Sequence, residues 1–174
     1  MTTVRLTERF SLQIVRSQPI DGGPVIQRTI LETDRNWGNG TDPDEFEEVF
    51  DDTRELPADA FDNLDLNNLS QLDEDGNAVR TCAFTKIKYI RLENLSSGGH
   101  VLIGGGTDNA GAANAWIGGP FTGDADMAKV EDGDSYEWTS RAGVAVTNLT
   151  SDVLAIGGYT AGQTYRLVLA GDIT

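Results

Sequence analysis

The chain has 174 residues, a length that fits one domain, or one domain with an arm, and that can bury a hydrophobic core. Twenty glycines punctuate many short apolar runs, which is typical of all-β proteins. The formal net charge of −15 argues against a nucleic-acid partner, because such a surface repels phosphate. Residues 1–5 lack the basic start of a signal peptide, and no apolar run approaches the ~20 residues of a membrane span. We therefore expect a protein made in a cytoplasm, with no membrane partner.

The N-terminal segment alternates apolar and polar residues over positions 4–14. The apolar residues that share one face are Val4, Leu6, Phe10, Leu12 and Ile14. A period of two predicts a half-buried strand or an extended arm. Residues 21–24 read Asp-Gly-Gly-Pro, a strong turn signal, and a second apolar run follows over residues 25–31. The segment 1–32 is therefore predicted to form an N-terminal β arm or hairpin.

Residues 33–60 combine a polar, turn-rich stretch with one candidate helix. Asp42 is placed to cap that helix, and Pro43 suits its first position. Phe46, Val49 and Phe50 fall at i, i+3 and i+4 and form one apolar stripe. This spacing predicts a short acidic helix near residues 43–54. Its acidic residues would mainly form a solvated face, with metal binding as a minor alternative.

A strand–turn–strand pattern occurs twice in the segment 61–174, which is predicted to form a β-sandwich domain. Residues 90–105 and 144–158 each contain an apolar strand, an Asn-Leu-Ser/Thr-Ser turn and a second strand that ends in Ile-Gly-Gly. The pattern predicts two equivalent β-hairpins, in which paired glycines leave the sheet at φ angles that other residues avoid. In the last strand, Tyr165, Leu167 and Leu169 fall on one face.

The longest strand candidate covers residues 83–95, and its apolar residues change face. Ile87 and Tyr89 fall on one side, and Phe84, Ile90 and Leu92 fall on the other. The switch indicates a β-bulge or burial of both faces. The same stretch is the one locally basic part of the chain. Its lysines fit protection of an edge strand, and its three basic residues also fit a docking patch for an acidic partner.

Residues suited to catalysis or metal binding are scarce. His100 and Cys82 are the single histidine and cysteine, and neither has a partner at ligand spacing. No nucleophile elbow or phosphate-binding loop occurs, so we expect no enzymatic activity, no metal and no cofactor. The 28 acidic residues leave a glycosidase-like carboxylate pair open. Trp37, Trp116 and Trp138 would be core residues or would stack on a sugar ring.

The block from Phe84 to Gly171 resembles the β-sandwich domain of tailed-bacteriophage head proteins. The similar features are the Asn-based turn after residues 90–94, the strand that ends in Ile-Gly-Gly at 103–105, the Gly-turn strand at 130–138 and the final hairpin over 153–171. The resemblance implies a jelly-roll-like sandwich that forms a homotrimer. It also implies a capsid decoration (cement) protein that binds the major capsid protein and stabilises the shell.

From this resemblance we expect a virion structural protein on the outer capsid surface. The arm would reach a neighbouring subunit, and the basic stretch would contact an acidic surface. The expected interface residues are Val4, Leu6, Phe10, Leu12, Ile14, Lys86, Lys88 and Arg91. Two alternatives remain open, a phage tail or fibre component and a carbohydrate-binding β-sandwich module.

Overall fold

A computed structural model describes residues 6–20, 23–43, 45–57, 61–72, 78–104, 114–116, 119–121, 126–158 and 160–173. These ranges contain thirteen β-strands and no helix. The strands are β1 (Leu6–Ile20), β2 (Gly23–Asn39), β3 (Glu45–Phe46), β4 (Glu48–Glu55), β5 (Phe61–Asp65), β6 (Leu69–Leu72), β7 (Ala78–Cys82), β8 (Phe84–Asn94), β9 (His100–Gly104), β10 (Met127–Glu131), β11 (Ser135–Ala145), β12 (Val153–Gly158) and β13 (Thr164–Ile173).

Eight strands form two four-stranded antiparallel sheets. The front sheet has the order β10-β9-β12-β5, and the back sheet has the order β11-β8-β13-β4. The pairing of these eight strands is nested. β4 pairs with β13, β5 with β12, β8 with β11, and β9 with β10. A long hairpin wrapped in this way is a jelly roll, so the predicted all-β sandwich is confirmed.

The hydrophobic core lies between the two sheets. The front sheet contributes Leu64, Val101, Ile103, Leu154 and Ile156, and the back sheet contributes Phe50, Phe84, Ile90, Leu92, Leu167 and Leu169. Full burial of an aliphatic or Phe side chain stabilises the fold by ~1.5–3 kcal/mol. As predicted, Tyr165, Leu167 and Leu169 point the same way, since each is fully buried while Arg166 and Val168 between them are half-buried.

The predicted acidic helix near residues 43–54 is wrong. Residues 45–46 and 48–55 are strands, and β4 pairs with β13 from Glu48 to Glu55. The apolar stripe is divided between two clusters. Phe46 and Val49 belong to a small cluster on the outer face of the back sheet, whereas Phe50 enters the main core. A break at Glu47 between β3 and β4 therefore imitates helical spacing.

The two copies of the internal repeat are not hairpins. β8 lies in the back sheet and β9 in the front sheet, and β11 and β12 are divided in the same way. Each copy is thus a crossing between the sheets. Gly104, Gly157 and Gly158 lie inside strands without positive φ angles, so the predicted special backbone angle is also wrong for them. They are needed for space instead, as a Cβ at Gly157 would come within 2.7 Å of the Phe61 ring.

The face switch in β8 has both of its predicted causes. Lys88 has no opposite residue on β13, because Ala170 pairs with Tyr89 and Gly171 pairs with Ile87. This β-bulge returns Ile87 to the main core, on the same side as Ile90, while Tyr89 is covered on the outer face. Ile87 and Tyr89 therefore lie on opposite faces of the sheet, and the prediction that they share one face is wrong.

The remaining strands form two smaller units. β1, β2 and β3 form a three-stranded sheet, and β6 pairs with β7. Residues 73–77 read Asp-Glu-Asp-Gly-Asn, a composition that predicts a tight polar turn, and this segment between β6 and β7 lies outside the described residues. Cys82 is buried, as expected for a core cysteine. Within the described ranges, no helix is long and apolar enough to span a membrane.

Candidate interaction surface

The N-terminal hairpin, called the arm here, consists of β1 and β2. The two strands pair antiparallel over fifteen consecutive positions, from Leu6 opposite Trp37 to Ile20 opposite Gly23. At ~3.4 Å per residue the arm is about 50 Å long. The longest strands of the jelly roll have 11 residues, so the arm is longer than the sandwich needs. Among the strands that the structure describes, β1 pairs with β2 alone, which makes it an edge strand.

The pairing register of the arm determines which of its residues share a face. Residues directly opposite in an antiparallel pair share a face. Leu6, Phe10, Leu12 and Ile14, all predicted interface residues, therefore occupy positions on one face. The fifth predicted residue of the arm, Val4, lies outside the described residues.

The arm joins the sandwich through a small aromatic cluster. Trp37, near the end of β2, is 1% exposed and lies 5.9 Å from Phe46, measured between ring centroids. Tyr89 and Ala170 of the back sheet complete the buried part of this cluster. Gly38 and Asn39 also pair in parallel with β3. The base of the arm is thus packed on the outer face of the back sheet.

A buried lysine supports this base from the β8 bulge. The Lys88 side chain is 1% exposed, and its Nζ donates to Asp172 Oδ1 at 2.7 Å. The same Nζ donates to the carbonyl oxygens of Glu45 at 2.7 Å, Thr41 at 3.0 Å and Asp42 at 3.2 Å. One ammonium group therefore fixes the loop between β2 and β3. Lys88 consequently does not belong to an exposed docking patch in the folded chain.

The other two predicted basic residues lie closer to solvent. The Lys86 side chain is 49% exposed, with its Nζ 3.8 Å from Asp172 Oδ2. The Arg91 side chain is 42% exposed, and its Nη2 donates to Glu93 Oε1. The structure therefore does not gather the three basic residues into one patch. Lys86 and Arg91 remain available at the surface.

Arg91 is one end of a row of charges across the back sheet. Arg166 donates from Nε and Nη2 to both carboxylate oxygens of Asp51, at 2.8 and 2.7 Å, and its Nη1 lies 3.6 Å from Glu93. The hydrogen bond from Arg166 lowers the pKa of the Asp51 carboxyl below its usual value, although partial burial opposes this shift. The row crosses β4, β13 and β8, and its charges are largely compensated within the chain.

A cleft lies at the end of the back sheet where β8 finishes. Its volume is about 430 Å³, and it is lined by Arg91, Glu93, Asn94, Leu95, Ser96, Asp132, Gly133, Asp134 and Ser135. Several lining groups already have partners inside the chain. Asn94 Nδ2 donates to the Val130 carbonyl at 3.2 Å, and Asp132 Oδ2 accepts from the Gly98 N–H at 2.8 Å. These bonds hold the turn that follows β8.

A buried polar cluster lies where β4 approaches β5. Arg54 Nε donates to Asp52 Oδ2 at 3.0 Å, and the Tyr165 hydroxyl donates to Asp62 Oδ2 at 2.5 Å. Burial, together with the Asp62 carboxylate, raises the pKa of Tyr165 above its usual value. Tyr165 is therefore a fixed hydrogen-bond donor at neutral pH, and the cluster connects the two sheets.

The tryptophans are mainly core residues. Trp116 is fully buried, its Nε1 donates to the Ala145 carbonyl at 3.0 Å, and Trp138 packs edge-on against it at 6.2 Å. Trp37 is buried at the base of the arm. Trp138 is half-buried, and the other two offer no exposed ring face for stacking on a sugar. In the part of the chain that the structure describes, no group of three His, Cys, Asp or Glu side chains is arranged to hold a metal.

Charge is divided unevenly between the arm and the remainder of the chain. Residues 1–39 contain five of the thirteen basic residues but only four of the twenty-eight acidic ones. The arm segment therefore carries a formal charge of +1, and residues 40–174 carry −16. In physiological salt, charges more than ~8–10 Å apart are largely screened from one another. The charge of the segment nearest the contact therefore determines whether that segment can approach another acidic chain.

The sequence predicts Trp37 as a core residue or a sugar-stacking residue, but not as the anchor of the arm. It lies in a segment interpreted as polar and turn-rich, and nothing in the sequence pattern indicates the role of Asp172. Trp37 in a Gly- and Asn-rich context was the one available signal, because a large apolar residue among turn residues often anchors a loop.

Comparison of the chain with protein-family models, with curated proteins and with solved structures finds no match.

Proposed function

We propose that the chain is a virion structural protein, a capsid decoration (cement) protein that binds the outer shell and stabilises contacts between major capsid subunits. The observation that carries this proposal is the long arm attached to a jelly roll. The jelly roll is a recurrent fold of viral capsid domains, although it also occurs in lectins and other proteins, so the fold alone does not decide.

The arm supports a binding role because it is poorly suited to exist alone. An isolated two-stranded hairpin is marginally stable in water, and three or more strands with a covered apolar face are normally required. The register places Leu6, Phe10, Leu12 and Ile14 on one face over a strand of fifteen residues. A partner surface would cover that face, and main-chain pairing would add affinity.

The acidic jelly roll suits a protein displayed in many copies. Mutual repulsion keeps free copies soluble and apart until a specific contact forms. Lys86 and, on exchange of its Glu93 partner, Arg91 would then provide local attraction to an acidic patch on the shell, in agreement with their partial exposure. We further propose a homotrimer that contains no nucleic acid and no cofactor and acts on the particle surface.

The test is association with intact particles of the virus that encodes the chain. A decoration protein co-purifies with particles at a copy number comparable to that of the main shell subunit. A copy number of a few per particle would instead indicate a tail or fibre component, and absence from particles would refute a virion role. Light scattering after size exclusion should give three times the chain mass of 18.7 kDa, or a multiple of that value.

Matched variants of the arm sharpen this experiment. Leu12→Lys places a charge on the apolar face, whereas Gln13→Lys adds the same charge on the opposite face. We expect Leu12→Lys to weaken particle binding at least about tenfold, since burial of a Leu side chain is worth ~1.5–3 kcal/mol. Equal binding of the two variants would refute the role of this face.

A further inference from the structure

The outer edge of β1 offers a fifteen-residue row of main-chain groups. β1 pairs with β2 on one side, and no other described strand pairs with it. An edge of this length is a template for another strand. We infer that β1 pairs antiparallel with β1 of a second copy of this chain, about a two-fold axis that passes beside Leu12. The inference concerns the edge of the arm and does not depend on a role in a virion.

The sequence of β1 selects one register for this pairing. Both copies present the same face to one side only if even-numbered residues oppose even-numbered residues. With Leu12 opposite Leu12 of the second copy, Phe10 opposes Ile14 and Glu8 opposes Arg16. A shift by two residues in either direction places Glu8 opposite Ile14 or Arg16 opposite Phe10. The central register alone therefore combines apolar contacts with two ion pairs.

The opposite face of β1 is compatible with the same register. Arg9 would oppose Val15, Ser11 would oppose Gln13, and no like charges would meet. Pro19, which has no N–H to donate, would lie beyond the overlap of residues 6–18, where loss of a ladder hydrogen bond costs nothing. The centre of β1 is thus complementary to itself in this register, and Pro19 marks the point beyond which the two copies would no longer pair.

Charge balance also favours a second copy as the partner. The arm segment carries a formal charge of +1, whereas residues 40–174 carry −16. Two arms can therefore approach each other without the repulsion that separates two acidic sandwiches. The product would be a four-stranded antiparallel sheet in the order β2-β1-β1-β2, which exceeds the three strands needed for independent stability. A two-fold contact through arms and a three-fold contact through sandwiches would use different surfaces.

The experiment is cysteine cross-linking of the full chain in a Cys82→Ala background. The two-residue connection from Ile20 to Gly23 makes the even-numbered residues of β1 hydrogen-bonded to β2. Leu12 would therefore meet its copy in a non-hydrogen-bonded pair with a Cα separation of ~4.5 Å, which a disulfide can bridge. Leu12→Cys should form a disulfide dimer under mild oxidation, measured as intact mass under non-reducing conditions.

Ile14→Cys is the matched control. Each Ile14 would lie two residues from the axis, so the two copies would be about 13 Å apart, beyond the reach of a disulfide. We expect about tenfold less dimer from Ile14→Cys than from Leu12→Cys, while a mixture of Ile14→Cys and Phe10→Cys chains cross-links as a heterodimer. Equal yields from the two single variants, or no dimer from Leu12→Cys, would overturn the register.

A charge variant gives an independent readout. Arg16→Glu would oppose Glu8 of the second copy at two places, which should raise the dimer dissociation constant on the order of tenfold in sedimentation experiments. Arg28→Glu makes the same change of charge on β2, away from the new edge, and should have little effect. Equal weakening by both variants would contradict the Glu8–Arg16 pairing. These measurements use free protein, so their failure is distinguishable from failure to bind particles.

Discussion

Replacement of Lys88 by methionine should destabilise the protein far more than an ordinary change of a lysine. Lys88→Met keeps most of the side-chain volume but removes the ammonium group. The Asp172 side chain, 5% exposed, then loses its partner at 2.7 Å, and its Oδ2 already has no hydrogen-bond donor. Removal of one member of a buried ion pair costs ~3–5 kcal/mol, because the remaining charge stays buried, in this case with only the half-exposed Lys86 Nζ 3.8 Å away.

The loss of three carbonyl contacts adds less to this cost. Thr41 and Asp42 are exposed residues, so water can replace Nζ at their carbonyl oxygens, whereas Glu45 is half-buried. A net hydrogen bond is worth about 1 kcal/mol. We therefore expect a loss of about 3–5 kcal/mol in the free energy of unfolding, out of the ~5–15 kcal/mol that is usual for a domain.

The assay is urea unfolding followed by tryptophan fluorescence, with hydrogen exchange as a local probe. Lys86→Met is the matched control, because Lys86 is half-exposed, contacts the same carboxylate at 3.8 Å, and should contribute less than about 1 kcal/mol. The double variant Lys88→Met/Asp172→Asn removes both charges and should recover a large part of the loss. The amides of Gly40, Thr41, Asp42, Glu45 and Phe46 should exchange faster in Lys88→Met. A loss similar to that of Lys86→Met would refute the reasoning.

Three further predictions concern single positions. Leu149 is 74% exposed and, with a φ of 61°, is the one described non-glycine residue with a positive φ. Leu149→Asn should therefore raise the melting temperature by a few degrees, whereas Leu95→Asn should not. A lower melting temperature for Leu149→Asn would mean that Leu149 makes a stabilising contact. Gly171→Ala should lower the free energy of unfolding in urea more than Gly157→Ala does. A Cβ at Gly171 would meet a backbone carbonyl of β8, whereas a Cβ at Gly157 would meet a ring that can move. The reverse order would contradict the packing. Asp51→Asn should reduce stability by less than about 1 kcal/mol at pH 7, because the group is 44% exposed and screened. Folding lowers the pKa of Asp51, so its contribution to stability is present above the unfolded pKa near 3.8 and disappears as the pH falls through the lower folded pKa. The free energies of unfolding of wild type and variant should therefore converge at acidic pH. A difference that stays constant with pH in urea titrations would refute the ionic origin.

Local alternation of residues predicted the strands of the sandwich but not their placement in sheets. Tyr165, Leu167 and Leu169 show a period of two, and β13 has the predicted orientation. The repeated strand–turn–strand units were interpreted as hairpins, since neighbours in sequence usually pair. A crossing between sheets has the same local pattern as a hairpin. Only the partner strand distinguishes them, and that partner is distant in sequence.

The incorrect helix and the buried lysine have similar physical causes. Phe46, Val49 and Phe50 satisfy helical spacing because a break between β3 and β4 rotates the side chains, and β4 is held as a strand by β13, more than a hundred residues away. Lys88 was expected at the surface because a lysine is almost never fully buried unless it is paired. Its partners, Asp172 and three carbonyl groups, are brought together only by the β8 bulge. The alternating arm needed no distant partner to be recognised.

The nested order of the jelly roll has a consequence for how the chain folds during synthesis. β13 lies between β8 and β4 in the back sheet, yet it is the last described strand to leave the ribosome. Until it inserts, β8 and β4 each present an unpaired edge, and the closing contact spans over a hundred residues, so folding of the sandwich should be slow and should follow the synthesis of β13. A nascent chain stalled before Thr164 would remain sensitive to protease, whereas the arm could already pair locally.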